Sequence, residues 1–155
     1  MQNRIFYEHI LSKVTDQLED FGYSRSGKSA LFYRYSDDKT VASAIEMQKS
    51  ILNSEHSFSF TFNLLCIGLY DLEDFFNDKL TVSAIKGSLK SPFLAERIGN
   101  ICRGSDYWWT IDDEHTNEYT PEKYYDVFIR EDIKKAALHL DGLFVKKEKK
   151  YEGYK

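Results

Sequence analysis

Proline occurs only at positions 92 and 121 of the 155 residues, so no proline-rich linker divides the chain. Cys66 and Cys102 are the only cysteines, too few for a disulfide framework, and the expectation is two buried, reduced thiols in a cytoplasmic protein. No apolar run approaches the roughly 20 residues that a membrane-spanning helix needs, and no membrane partner is expected. The opening MQNRIFYEHI lacks the charged-then-apolar layout of a signal peptide. Positive charge is not in excess: 21 Lys and Arg stand against 25 Asp and Glu, a net charge of -4. A nucleic-acid binder needs a basic face to displace counterions, so nucleic acid is not an expected partner.

Chemical motifs are also missing. Neither GxxxxGK[ST] nor GxSxG occurs, and GYSRSGK at 22–28 follows a helical pattern, which makes it a loop rather than a phosphate cradle. His9, His56, His115 and His139 show no HxxxH or HxH spacing, and no cysteine pair lies beside them. A nucleophilic role for Cys66 or Cys102 would need a neighbouring base, and both suit a structural role better. Asp112, Asp113, Glu114 and Glu118 could hold a cation, but such runs usually lie in a solvated loop. No catalytic residue, metal or cofactor is therefore expected.

Aromatic residues are abundant, at 15% with eleven Phe and eleven Tyr. Phenylalanine suits a core, and tyrosine suits its wet boundary. Residues 3–21 predict an amphipathic helix with Phe6, Ile10, Val14, Leu18 and Phe21 on one face, Asn3 as its cap and Gly22 at its end. Strands are predicted over 30–36 and 40–49, joined by a turn at 37–39. Val41, Ile45 and Met47 then face one way, Glu46 and Gln48 the other. Residues 49–55 read as a polar connection. In 56–68, Phe58, Phe60, Phe62, Leu64 and Cys66 alternate with Ser57, Ser59, Thr61 and Asn63, the pattern of a strand dry on one face and wet on the other. From Leu65 the pattern turns apolar on both sides, so that end is expected to be more covered.

A short helix or loop at 70–78 and a strand at 80–86 follow. Residues 91–112 read as a hairpin, with strands near 93–101 and 107–112 and a turn over 103–106. Thr120 and Pro121 start a helix in which Tyr124, Val127 and Phe128 anchor the first turns. A bend near Arg130 and Glu131 leads to a second stripe: Ile133, Ala136, Ala137, Leu140, Leu143 and Phe144. The expected architecture is α+β, an antiparallel sheet of about five strands with the N- and C-terminal helices packed on one face. One domain covers 1–145, and 146–155 forms a charged, fraying tail.

Neighbours on a strand point to opposite faces, so Trp108 and Trp109 must part. Trp109, with Tyr107 and Ile111, goes to the core, and Trp108 shares the other face with Thr110, either as the edge of a second, smaller core or as an exposed aromatic anchor for a partner. Glu46, Gln48, Lys49, Ser50, Arg97 and Trp108 form the candidate binding surface. Glu46 and Gln48 are either exposed polar groups on a rigid platform or structural groups that must be paired.

The stretch IEMQKSILNSEHSFSFTFNL at 45–64 resembles the strand–QKS–strand signature of the bacterial and phage family DUF4304, a domain of unknown function. ERIGNICRGSDYWWTID at 96–112 resembles that family's second signature, an arginine followed by Ile-Gly and then paired Trp. The likeness covers most of residues 5–145. It departs at 64–68, where the family has a shorter passage to Gly. It implies one compact domain and supplies no mechanism. Two functional readings follow. The first is a non-catalytic binding domain whose partner is another protein; by analogy with small bacterial α+β proteins, it neutralises a toxin or serves as an accessory factor of phage or mobile elements. The second is a small-ligand binder or enzyme with a pocket near Gln48, Arg97 and Trp108.

Overall fold

A computed structural model describes residues 2–37, 41–68 and 94–152. The helix or loop expected at 70–78, the strand expected at 80–86 and most of the 37–39 turn lie outside the described residues.

Helix α1 spans Asn3–Asp20 and buries Phe6, Tyr7, Ile10, Leu11, Val14 and Leu18. Gln2, not Asn3, precedes it and caps no N–H with its side chain. Asn3 is instead drawn inward, where its Nδ2 donates to the Glu55 carbonyl at 2.8 Å. At the other end Gly22 takes φ +88. There the Gly22 N–H donates to the Glu19 carbonyl and the Tyr23 N–H to the Leu18 carbonyl, both at 2.9 Å. That pair of bonds closes the helix in the left-handed way glycine permits.

The sheet is built on two long antiparallel strands, β3 (Val41–Lys49) and β4 (Ser57–Gly68). On the outer side of β3 lie β2 (Leu31–Tyr35) and the two-residue β1 (Ser24–Arg25). The other edge of β4 is shared by two short strands: β6 (Trp109–Asp112) pairs with Ser57–Phe60, and β5 (Leu94–Arg97) pairs with Asn63–Cys66. Here the structure corrects the hairpin reading of 91–112. β5 and β6 do not pair with one another but lie end to end along β4. Between them the chain leaves the sheet as helix α2 (Ile98–Cys102) and an irregular passage. Gly99 makes that excursion possible, since a Cβ there would sit 2.4 Å from the Ser105 carbonyl oxygen and 2.5 Å from the Tyr107 nitrogen. Gly104, at φ +76, turns the chain back.

After β6 the acidic run is a short helix, α3 (Asp113–Glu118), rather than a loop. The Asp112 carboxylate caps it by accepting from the His115 N–H. Helix α4 (Pro121–Phe128) begins as expected, with the Thr120 side chain accepting from the Lys123 N–H. Its anchors differ in one place: Tyr124 and Tyr125 are buried, whereas Val127 is 57% exposed. The bend falls at Ile129, itself buried, and helix α5 (Arg130–Glu152) carries Ile133, Ala136, Ala137 and Leu140 into the core. This helix continues through most of the segment whose charge predicts a tail.

The helices pack on one face of the sheet. Phe32, Ile45, Met47, Phe60, Phe62, Leu64, Trp109 and Ile111 supply the sheet's half of the core. Burying each large ring contributes on the order of 4–6 kcal/mol, from roughly 150–250 Å² at about 25 cal/mol/Å². The polar atoms of its tryptophan and of the two α4 tyrosines are paired. Trp109 Nε1–H donates to the Phe128 carbonyl at 2.8 Å, and the Tyr124 hydroxyl donates to the Thr110 carbonyl at 2.9 Å. The Tyr125 hydroxyl donates to Gln17 Oε1, and Gln17 Nε2 donates to the Arg130 carbonyl at 2.9 Å.

Candidate functional site

The second face of the sheet is not uniformly wet. At the end of β4 where the apolar pattern predicts more cover, Ala42, Ala44 and Leu65 are buried. Thr61 is buried too, its hydroxyl donating to the Tyr107 carbonyl at 2.7 Å. Beside these lies a polar row set by strand register, in which Glu46 opposes Asn63 and Asn63 opposes Arg97. Asn63 Nδ2 donates to Glu46 Oε1 at 3.1 Å and to Gln48 Oε1 at 2.8 Å. Glu46 and Gln48 are thus half-buried and paired through one amide.

Arg97 continues the row. Its guanidinium carbon lies 5.1 Å from the centre of the Trp108 ring, and Trp108 Nε1–H donates to Asp106 Oδ2 at 3.2 Å. Arg97 Nη1 is buried with no hydrogen-bond acceptor among the described residues. Leaving such a donor unmet costs about 1–3 kcal/mol, and more for a charged group. The indole face attracts the cation but accepts no conventional hydrogen bond.

The structure therefore gathers Glu46, Gln48, Arg97 and Trp108 on one face, with Asn63 at their centre. It places the other two candidate residues elsewhere. Lys49 points to the helix face, its Nζ 5.7 Å from the centre of the Tyr7 ring in α1. Ser50 belongs to the β3–β4 connection, where its Oγ accepts from the Leu52 N–H at 3.1 Å. Asn63 escapes sequence reasoning as a site residue because it reads as one more polar position in an alternating strand.

The β3–β4 connection is the second unusual surface. Its composition is polar on average, yet its tip carries Ile51, 98% exposed, and Leu52, 85% exposed. The loop that displays them is tightly held. Asn53 mimics a strand residue: its Nδ2 donates to the Ser59 carbonyl at 3.1 Å, and its Oδ1 accepts from the Ser59 N–H at 2.7 Å. The Ser50 N–H donates to the same Ser59 carbonyl at 2.9 Å, and the Ser54 N–H donates to the Ser57 carbonyl at 2.9 Å. Two adjacent aliphatics inside a run of Ser, Asn and Glu are the sequence signal for this tip.

Flanking the tip, a hollow of about 710 Å³ opens between the start of α1 and residues 53–56. Asn3, Arg4, His56 and Asp113 are among its walls. His56 Nδ1 lies 3.1 Å from Asp113 Oδ2, but both side chains are mostly exposed, so the pair adds little stability. None of the six residues of the candidate binding surface lines this hollow.

Cys66 is buried and Cys102 half-buried. Cys102 is poorly suited to nucleophilic chemistry. Burial, with the Asp132 carboxylate beside it, pushes its thiol pKa up, away from the reactive thiolate. Among the described residues no three His, Cys, Asp or Glu side chains gather as a metal site, and no helix is long and apolar enough to cross a membrane. No family model, curated protein or solved structure matches the chain.

Proposed function

We propose that the chain is a non-catalytic protein-binding domain that uses the β3–β4 tip as its apolar anchor. The observation that supports this reading is the near-complete exposure of Ile51 and Leu52 on a loop fixed by backbone and Asn53 hydrogen bonds. Burying such side chains in a partner contributes roughly 1.5–3 kcal/mol each. A loop already ordered in the free protein loses little conformational entropy on binding. Isolated exposed aliphatics are ordinary, but two adjacent ones on a rigid projection make a patch that a partner can bury. Analogy with small bacterial α+β proteins suggests a toxin or a phage-conflict protein as the partner class.

The test is capture from the native host with three baits: the wild-type chain, an Ile51→Ser/Leu52→Ser variant, and Val127→Ser. The last alters a different exposed aliphatic. The expected result is one stoichiometric partner held by the wild type and by Val127→Ser but lost from the tip variant. Equal capture by the tip variant, or no stoichiometric partner with any bait, contradicts the proposal.

A further inference from the structure

A separate site lies away from the tip, and it stands or falls independently of the protein-binding reading. We infer that the polar row on the second face, Arg97 with Trp108, Gln48, Asn63 and Glu46, binds a carboxylate-bearing small molecule through the Arg97 guanidinium. Three observations meet here. First, Arg97 is a half-buried cation with no carboxylate partner among the described residues, and its Nη1 lacks any acceptor there. Buried donors of this kind are nearly always satisfied, so an acceptor that the described residues do not supply is the missing element. Second, the guanidinium is held near the Trp108 indole, 5.1 Å from its centre. A planar fork restrained in this way matches the two oxygens of a carboxylate. Third, Asn63 spends its amide donors on Glu46 and Gln48. That leaves the Gln48 amide N–H groups as further donors to a carboxylate, while the Asn63 side-chain carbonyl can only accept from a donor group elsewhere on the ligand.

Glu46 decides between oxyanions. Asp106, bonded to Trp108, is a second carboxylate beside the row, and Glu46 lies two strand spacings from Arg97, about 9–10 Å between backbones. A dianionic phosphate is repelled about twice as strongly by that carboxylate as a monoanionic carboxylate is. A ligand with a donor group beyond its carboxylate also finds an acceptor in Glu46. Trp108 lies outside β6, in the irregular passage that follows Gly104.

The test is an NMR titration of the full chain with acetate, succinate and inorganic phosphate as separate probes, following the Arg97 side-chain N–H and the Trp108 indole N–H. The expected result is saturable shifts of both signals with the carboxylates, and weaker binding of phosphate. Arg97→Lys keeps the charge but loses the fork, and should weaken carboxylate binding by at least about tenfold. Glu46→Gln should raise phosphate affinity more than acetate affinity. Amide spectra of each variant check that it remains folded. If phosphate binds more tightly than either carboxylate, the carboxylate assignment is overturned. If Arg97→Lys binds as well as the wild type, or no probe moves the Arg97 signal, there is no such site.

Discussion

Phe60 and Trp109 stand directly opposite one another on β4 and β6, ring centroids 5.9 Å apart and planes inclined by 13°. Phe62 meets the same indole edge-on at 5.4 Å. This trio joins the alternating strand to the short edge strand under the helices. Phe60→Ala should therefore destabilise the fold by about 3–5 kcal/mol, the usual cost of truncating a fully buried aromatic. Chemical denaturation measures it, and a loss under about 1 kcal/mol would mean that Phe60 is not a core residue.

Gly99 offers a backbone test of the β5–α2–β6 excursion. Any side chain there meets the 105–107 backbone, which cannot move aside without disturbing the start of β6. Gly99→Ala should cost at least about 1–3 kcal/mol, the range for forced overpacking. Gly104 differs: a Cβ at that position would meet nothing within 4 Å, and its constraint is its positive φ alone. Equal stability of Gly99→Ala and wild type in urea would contradict this path of the chain.

Much of this architecture is legible in the sequence, and the gaps have a physical pattern. Strict alternation from Phe58 to Cys66 identifies β4 and its core face because that signal is local. The Gly22 helix end and the Thr120–Pro121 helix start are legible for the same reason. The hairpin reading of 91–112 fails because both short strands pair with β4, a non-local choice that turn chemistry around Gly104 does not reveal. Val127 is hydrophobic enough to suggest an anchor, but it falls on the outer side of α4 and Tyr125 takes the buried place. Of the candidate site, only the shared face of Glu46 and Gln48 follows from strand parity; Arg97 reaches it through the non-local pairing of β5 with β4, and Trp108 through the irregular passage before β6. Lys49 and Ser50 do not join them, since Lys49 has the opposite parity and Ser50 already belongs to the turn. The Ile51–Leu52 tip is hidden by the average polarity of the connection around it.

Alkaline pH should weaken the fold in a defined window. Burial raises the Tyr7 and Tyr23 pKa values from 10.0 to about 12, and the Ser43 hydrogen bond only partly offsets this for Tyr23. Burial also raises those of Tyr124 and Tyr125. Folding thus favours the protonated phenols. Their contribution is complete below pH 10, the unfolded value, and is lost as pH climbs toward the folded values near 12. Denaturation curves should show stability falling across that window, with a shallower fall for Tyr7→Phe. A flat profile would show that these hydroxyls are not buried.

The tip should be dispensable for folding. Ile51 and Leu52 make so little buried contact that Ile51→Ser/Leu52→Ser should change stability by no more than about 0.5 kcal/mol per site, as for ordinary surface positions. A thermal or urea melt checks this, and a larger loss would make the pair a structural element rather than a displayed one. Asn53→Ala should behave differently. It removes both bonds to the Ser59 backbone, so amide exchange through 50–56 should accelerate.

The two faces of the sheet are assigned different work, and the adjacent tryptophans report on one face each. Trp109 is 2% exposed and bonded to the Phe128 carbonyl, whereas Trp108 is half-buried beside Arg97. The most direct measurement is the fluorescence of the two single-tryptophan variants with acrylamide quenching. Trp108→Phe, which keeps Trp109, should emit at short wavelength and resist quenching. Trp109→Phe, which keeps Trp108, should emit further to the red and be quenched readily. If both variants emit as fully buried indoles, the division of labour between the faces is contradicted.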